Sequence, residues 1–135
     1  MNGSSDPEAQ AKCDLKLAPR NTVMLVCGGR KFRDTHRLEV ILNGFLHDRR
    51  VIRVITGGAL GADTLAERWA KAQAVECVVF HADWDKYGRA AGPIRNQQML
   101  DEGRPTLLVA FPGGGGTADM VHRARSAGIE VIEVN

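Results

Sequence analysis

Cysteine is scarce in this sequence, and its spacing excludes two classes of small protein. Cys13, Cys27 and Cys77 are an odd number and contain no C-x-x-C pair. Disulfide frameworks need paired cysteines, and structural zinc sites need closely spaced ligands. The histidines are equally scattered: His36, His47, His81 and His122. We therefore expect a cytoplasmic chain without a metal site, in which Cys27 and Cys77 are small core residues.

The sequence also lacks a strong charge of either sign and a long apolar run. Lys and Arg number 18 against 16 Asp and Glu, a formal net charge of +2. Nucleic-acid-binding domains usually carry a larger basic excess, so we do not expect that partner. A small excess still suits a phosphorylated small ligand. No apolar run is long enough to cross a bilayer, and no signal peptide is visible. We therefore expect no membrane partner.

Residues 1–20 are polar and have no hydrophobic period. We predict a disordered tail or linker there, and one folded domain over 21–135. In that domain, short apolar runs alternate with stretches of helical spacing. The runs predict strands at 22–27, 51–56, 75–80, 106–111 and 130–134. The stretches between them predict helices at 34–48, 62–74, 92–103 and 117–128.

This alternation predicts an α/β fold: a Rossmann-like, three-layer domain with a five-stranded parallel sheet. The expected strand order is 3-2-1-4-5, with a switch point between the first and fourth strands. Ligands of such sheets bind outside the carboxyl ends of the strands, near the switch point.

Glycine-rich segments follow three of these strands: "CGGR" (27–30), "TGGALGAD" (56–63) and "PGGGGT" (112–117). Glycine lets a ligand approach the main chain, and the N-terminus of a following helix attracts anions. Each segment alone is more often a simple turn than a ligand loop, but three at one edge of the sheet together predict a phosphate site. Thr117 could cap its helix or bind a phosphate oxygen.

Two familiar nucleotide motifs are missing. No glycine segment carries the lysine of a P-loop, and "CGGRKF" does not fit the dinucleotide pattern G-x-G-x-x-G. Nucleotide triphosphate hydrolysis and hydride transfer are therefore disfavoured, and we expect no cofactor.

The polar segment 81–99 adds side chains suited to a nucleotide. Trp84 and Tyr87 could stack on a base, Asp83 could accept from ribose, and Arg89 and Arg95 could meet phosphate. The alternative is a surface loop with a tucked Trp84. The residues predicted to face the ligand are Gly28, Gly29, Arg30, Thr56, Gly57, Gly58, Gly61, Asp63, Asp83, Trp84, Tyr87, Arg95, Asn96, Pro112, Gly113, Gly114, Gly115, Gly116 and Thr117.

Four blocks resemble one family in sequence and order: "VCGGRKFRD", "ITGGALGADTLAERWA", "ADWDKYGRAAGPIRNQQML" and "VAFPGGGGTADMV". They are similar to the YspA-type, cpYpsA-related branch of the SLOG superfamily, over about residues 22–134. That superfamily includes the Lonely Guy-type phosphoribohydrolases and the DNA-processing protein DprA. The resemblance implies a nucleotide-derived ligand and, from related domains, a possible homodimer.

The phosphoribohydrolases carry "PGGxGTxxE" and an upstream "RxxM". Here 112–117 match the first part, and Arg95 with Met99 match the second, but Met120 replaces the glutamate. By resemblance the catalytic candidates are Arg95 and, one residue before the glutamate position, Asp119. A step of one residue turns a helical side chain by roughly 100°. The sequence thus leaves open an N-glycoside hydrolase, using Asp119, Asp83 or Asp63, or a sensor without chemistry. A DNA-binding protein of the DprA type is disfavoured by the low charge.

Overall fold

The computed structural model describes residues 20–135, and the predicted tail lies outside this range except for Arg20. The described chain forms a five-stranded sheet with the order β3-β2-β1-β4-β5. All its strand pairs are parallel. The predicted fold class and strand order are therefore confirmed. The strands are β1 (Asn21–Cys27), β2 (Arg50–Thr56), β3 (Glu76–Val79), β4 (Leu107–Ala110) and β5 (Glu130–Glu133).

Helices connect successive strands. They are α1 (Thr35–Asp48), α2 (Ala62–Ala72), α3 (Trp84–Tyr87), α4 (Ala91–Gly103) and α5 (Gly115–Ser126), with a 3₁₀ turn at Gly88–Ala90. Asp34 caps α1 by accepting a hydrogen bond from the N–H of Arg37. None of the helices in residues 20–135 has the length and apolarity to span a membrane.

Several boundaries differ from the prediction by one or two residues, and two differences have a structural reason. Helix α5 begins at Gly115 rather than at residue 117, because its first turn is built from glycines that carry no periodic signal. The segment 81–99 is more helical than expected, since Trp84–Tyr87 form a short helix that Asp83 caps.

The core has one apolar cluster on each face of the sheet. Met24 and Val26 of β1 pack with α1 and α2 on one face, where Trp69 is buried as predicted. Leu25 and Cys27 point to the other face and pack with α4 and α5. This alternation along β1 is the period of two that a strand imposes. Helices therefore cover both faces of the sheet. A ligand site is consequently expected at the carboxyl ends of the strands.

Main-chain contacts tie the loops together at that edge. The N–H of Gly29 donates to the carbonyl of Pro112 at 2.9 Å, and the N–H of Ala62 donates to the carbonyl of Gly29 at 3.2 Å. The loop after β1 thus binds both the loop after β4 and the start of α2. The glycine segments that follow separate strands meet at the switch point.

Candidate functional site

A cavity of about 460 Å³ opens at the switch point, between the carboxyl ends of the strands and the first turns of α4 and α5. This volume lies within the range of small-molecule sites. Most of the residues predicted from the sequence line it. They are Gly28, Gly29, Arg30, Gly57, Asp63, Trp84, Arg95, Asn96, Gly114, Gly115, Gly116, Thr117 and Asp119.

The other predicted ligand residues do not line this cavity. Thr56 is buried and its Oγ1 donates to Glu67, while Asp83 accepts from the N–H of Lys86. Gly61 packs against the main chain of Gly29 and Arg30. The remaining four lie beside the cavity or on the surface: Gly58, Tyr87, Pro112 and Gly113.

The glycines around the cavity fall into two groups. An added Cβ at Gly28 would lie 2.6 Å from the Cβ of Ala62, and one at Gly113 would lie 2.6 Å from the N of Gly29. Packing therefore requires these two glycines. At Gly114, Gly115 and Gly116 an added Cβ would meet nothing within 4 Å, and none of the three has a positive φ. The fold itself does not require glycine at 114–116.

These three glycines form the entry to α5. Gly114 is the N-cap residue, and no side chain caps the helix. The alternative that Thr117 caps α5 is therefore wrong, because the helix begins two residues before it. The N–H of Ala118 already donates to the carbonyl of Gly114. The preceding N–H groups, of Gly115, Gly116 and Thr117, have no partner within the helix and carry its partial positive charge.

Arg95 lies over the loop that follows β2. Its Nη1 donates to the carbonyl of Gly57 at 2.5 Å, and its Nε donates to Asn96 Oδ1 at 3.1 Å. An added Cβ at Gly57 would lie 2.5 Å from Nη1, so that glycine makes room for the guanidinium. Burial lowers the pKa of Arg95, which the charge of Asp63 partly offsets.

Asn96 connects Arg95 to α5. Its side chain is 4% exposed, and its Nδ2 donates to the carbonyl of Gly116 at 3.3 Å and to Asp119 Oδ2 at 3.0 Å. The side-chain amide of Asn96 thus contacts both the guanidinium of Arg95 and the first turn of α5. Asn96 therefore fixes the position of Arg95 relative to α5.

Positive charge faces the cavity from several elements. Arg30, Arg89 and Arg95 all line it, and the guanidinium of Arg30 lies 5.8 Å from the centre of the Trp84 ring. Trp84 is about half exposed, at 48%. It is therefore not tucked beneath a surface loop, and its ring is available for stacking at the cavity wall.

Asp63 is the buried carboxylate of the site. It is 5% exposed, and its Oδ2 accepts from the N–H groups of Gly57 and Ala59 at 3.1 and 3.2 Å. Burial raises its pKa from 3.8 to about 6, although those hydrogen bonds and Arg95 oppose the shift. Oδ1 accepts no hydrogen bond from the described residues, and no fully buried side-chain oxygen among them lacks a partner. Oδ1 is thus accessible from the cavity.

Asp119 has a different environment. Arg123 Nε donates to its Oδ2 at 2.8 Å, together with the bond from Asn96. Partial burial raises the pKa of Asp119, but these two donors outweigh burial and the net pKa lies below the usual value. The neighbouring Met120 is 1% exposed and packs in the apolar cluster beneath the cavity. The position of the family glutamate is therefore apolar.

Several lining residues were not predicted: Cys27, Ala59, Gly92, Pro93, Met99 and Met120. Cys27, Ala59 and Met120 are direct chain neighbours of predicted residues, and Gly92 and Pro93 lie at the start of α4, so position after a strand or at a helix start could have found most of the six. Met99 was matched together with Arg95, and Met120 occupies the glutamate position, but neither was predicted to face the ligand. Burial raises the pKa of Cys27, and the thiol is therefore protonated at neutral pH. Cys27 is a wall residue and not a nucleophile.

Two comparisons with known proteins bear on the site. A sequence model of the YspA, cpYpsA-related SLOG family matches residues 22–87. The Gene 61 protein of Mycobacterium phage D29 is 36% identical over 117 residues, which cover 81% of this chain and 93% of the phage protein. The matched residues 22–87 include the loops after β1 and β2, and therefore Gly28, Gly57 and Asp63.

Proposed function

The chain belongs to the YspA, cpYpsA-related SLOG family, and we propose that it binds a phosphorylated nucleotide in the cavity at the carboxyl edge of its sheet. The observation that carries the proposal is the set of three glycines at 114–116, which the fold does not require. Such glycines are explained if a ligand approaches the main chain too closely to leave room for a Cβ.

The phosphate would lie on the free N–H groups of Gly115, Gly116 and Thr117. Their geometry at a helix N-terminus favours an anion, and the guanidinium of Arg95 adds a full charge from the opposite wall. The base would stack on Trp84, whose exposed ring lies at the rim. The buried amide of Asn96 would keep the two phosphate-binding elements in register.

The charges of the cavity support an anionic ligand. Asp119 is neutralised by its ion pair with Arg123, and Asp63 is the other acidic side chain among the lining residues. Three guanidinium groups face them. A phosphate dianion would bring these charges close to balance and offset the mutual repulsion of the arginines.

The first experiment is a binding measurement with Arg95→Ala. Calorimetric titration with nucleoside 5′-monophosphates should give saturable binding for the wild type and at least tenfold weaker binding for the variant, because a charge-assisted contact is lost. Arg125→Ala is the matched control, since Arg125 lies on α5 outside the cavity and pairs with Glu133. Equal loss in both variants, or none in Arg95→Ala, would contradict the assignment.

A second candidate function is hydrolysis of the N-glycosidic bond of a nucleoside 5′-monophosphate. The observation that favours it is the accessible Oδ1 of Asp63, because a carboxylate can stabilise an oxocarbenium-like sugar. Each carboxylate accepts two hydrogen bonds at Oδ2, but the charge of Asp119 is paired with the guanidinium of Arg123, so Asp63 suits this role better. Arg95 would then hold the phosphate end of the substrate.

Release of free base, followed by chromatography, distinguishes an enzyme from a sensor. With the nucleotide that binds, an enzyme should lose orders of magnitude in rate in Asp63→Asn and retain most of its rate in Asp119→Asn. Retention of an intact nucleotide through long incubation would assign the chain to the sensor class. That outcome would leave the binding proposal in place.

A further inference from the structure

A second cavity of about 280 Å³ lies beside the first. The two have five lining residues in common: Arg30, Gly57, Ala59, Trp84 and Arg95. The second cavity is completed by the end of the loop after β2 and by the residues that follow β3: Gly58, Leu60, His81 and Ala82. The two spaces are therefore adjacent, and side chains rather than a strand or helix divide them.

The dividing side chains are two arginines and one tryptophan. Arg95 is held by the carbonyl of Gly57 and by Asn96, and Arg30 lies over the ring of Trp84. Among residues 20–135, neither arginine forms an ion pair with a carboxylate. Burial lowers the pKa of Arg95, the charge of Asp63 partly offsets this, and the nearby charge of Arg30 lowers the pKa further. Two like charges thus face the same boundary, where an anion would relieve their repulsion.

The second cavity has the lining of a binding space. The His81 ring packs against Gly58, where an added Cβ would lie 2.7 Å from Nδ1 and φ is +71°. Leu60 and Ala82 supply apolar surface beside it. A ring with hydrogen-bonding nitrogens next to aliphatic groups suits a sugar or a second base. If the phosphate of a nucleoside monophosphate lies at the N-terminus of α5, no part of that ligand fills the second cavity.

We propose that the ligand has two parts joined by a diphosphate, with the nucleoside in the first cavity and a second sugar or base in the second. This inference rests on the proposed function. The first phosphate lies on the α5 N-terminus, and the second lies between Arg30 and Arg95. In a bridging diphosphate, one anionic group meets the N–H groups of α5 and the other meets the two guanidinium groups, which a monophosphate cannot do at the same time.

Three probe series test the inference by calorimetry: AMP, ADP and ADP-glucose; UMP, UDP and UDP-glucose; GMP, GDP and GDP-mannose. In the series whose base is accepted, affinity should rise at least tenfold from the monophosphate to the diphosphate sugar. Ala82→Phe fills the second cavity and should remove this gain while the monophosphate binds as before. Ala72→Phe is the matched control at the exposed end of α2, and there the gain should persist.

His81→Ala provides a second route, because it removes a ring without adding volume. It should weaken binding of the diphosphate sugar severalfold and leave the monophosphate unchanged, even if Ala82→Phe does not fold. Equal affinity of monophosphate and diphosphate sugar in the wild type would overturn the two-part ligand and leave the proposed function standing. Absence of binding in every series would overturn both.

Discussion

At the scale of single residues, Asp63 is the group whose charge depends most on the fold. Burial raises its pKa from 3.8 to about 6. A carboxyl with a higher pKa in the folded state binds its proton more tightly there than in the unfolded chain. Its contribution to stability is therefore fully present below about pH 3.8 and is lost as the pH rises through about 6.

Asp63→Asn should remove this pH dependence. The amide oxygen can still accept from Gly57 and Ala59, so the loop after β2 should keep its shape. Between about pH 5 and about pH 7, the free energy of unfolding of the wild type should fall by about 1 kcal/mol more than that of the variant. Urea unfolding of the ligand-free protein at the two pH values measures this. Parallel changes in both proteins would show that Asp63 does not carry the effect.

Sequence reasoning identified both Asp63 and Asp119 but could not separate their environments. The contrast depends on Arg123, which lies four residues after Asp119 on the exposed side of α5, and on Asn96 from another helix. The burial of Asp63 depends equally on the loop that folds back over it. The Asp119–Arg123 pair follows from the i, i+4 spacing of a helix, whereas the contact with Asn96 and the burial of Asp63 depend on the tertiary structure.

At the scale of elements, the first turn of α5 combines two kinds of glycine. Gly113 is packed against Gly29 and Thr117, whereas Gly115 faces open space. The sequence predicted a loop over all of "PGGGG", because glycine gives no helical signal. The helix nevertheless extends to Gly115, since its packing on the sheet through Met120 and Val121 fixes the element. Tertiary packing here outweighs a weak local propensity.

Two neighbouring substitutions should therefore have opposite effects on the fold. Gly115→Ala should raise the free energy of unfolding by up to about 1 kcal/mol, because its backbone accepts alanine and the unfolded chain loses freedom. The same methyl should weaken nucleotide binding at least tenfold by occupying the phosphate position. Thermal unfolding and calorimetric titration measure the two effects.

Gly113→Ala is the comparison for this substitution. Its added Cβ would contact Thr117 Oγ1 and lie 2.6 Å from the N of Gly29, so the variant should be destabilised. If Gly115→Ala were destabilised as much as Gly113→Ala, the glycines of 114–116 would be structural and the main support for a phosphate site would be lost.

At the scale of the whole molecule, the two ends of the sheet contain different features. The carboxyl edge contains the cavity, while the amino edge contains a bidentate ion pair between Arg49 and Glu130, with both N–O distances at 2.8 Å. Arg49 precedes β2 and Glu130 begins β5. The alternation of strands and helices was enough to predict the sheet and the edge at which the cavity opens. It could not predict this pair, which joins residues 81 positions apart.

Glu130→Gln and Asp63→Asn both remove one carboxylate, each from a different edge. Glu130→Gln should lower the free energy of unfolding at neutral pH by about 0.2–1 kcal/mol, the usual range for a partly exposed ion pair. It should leave the affinity for a nucleotide unchanged, because Glu130 lies at the far end of the strands. Asp63→Asn should instead tighten the binding of a phosphorylated ligand severalfold, since it removes negative charge beside Arg95.

Urea unfolding and calorimetric titration of both variants, at one pH near neutrality and one salt concentration, measure these effects. Both substitutions can change stability, but affinity should change only in Asp63→Asn, at the carboxyl edge. A gain of affinity in Glu130→Gln equal to the gain in Asp63→Asn would mean that net charge, rather than the position of the charge, controls binding. That result would contradict the proposal that the cavity at the switch point is the binding site.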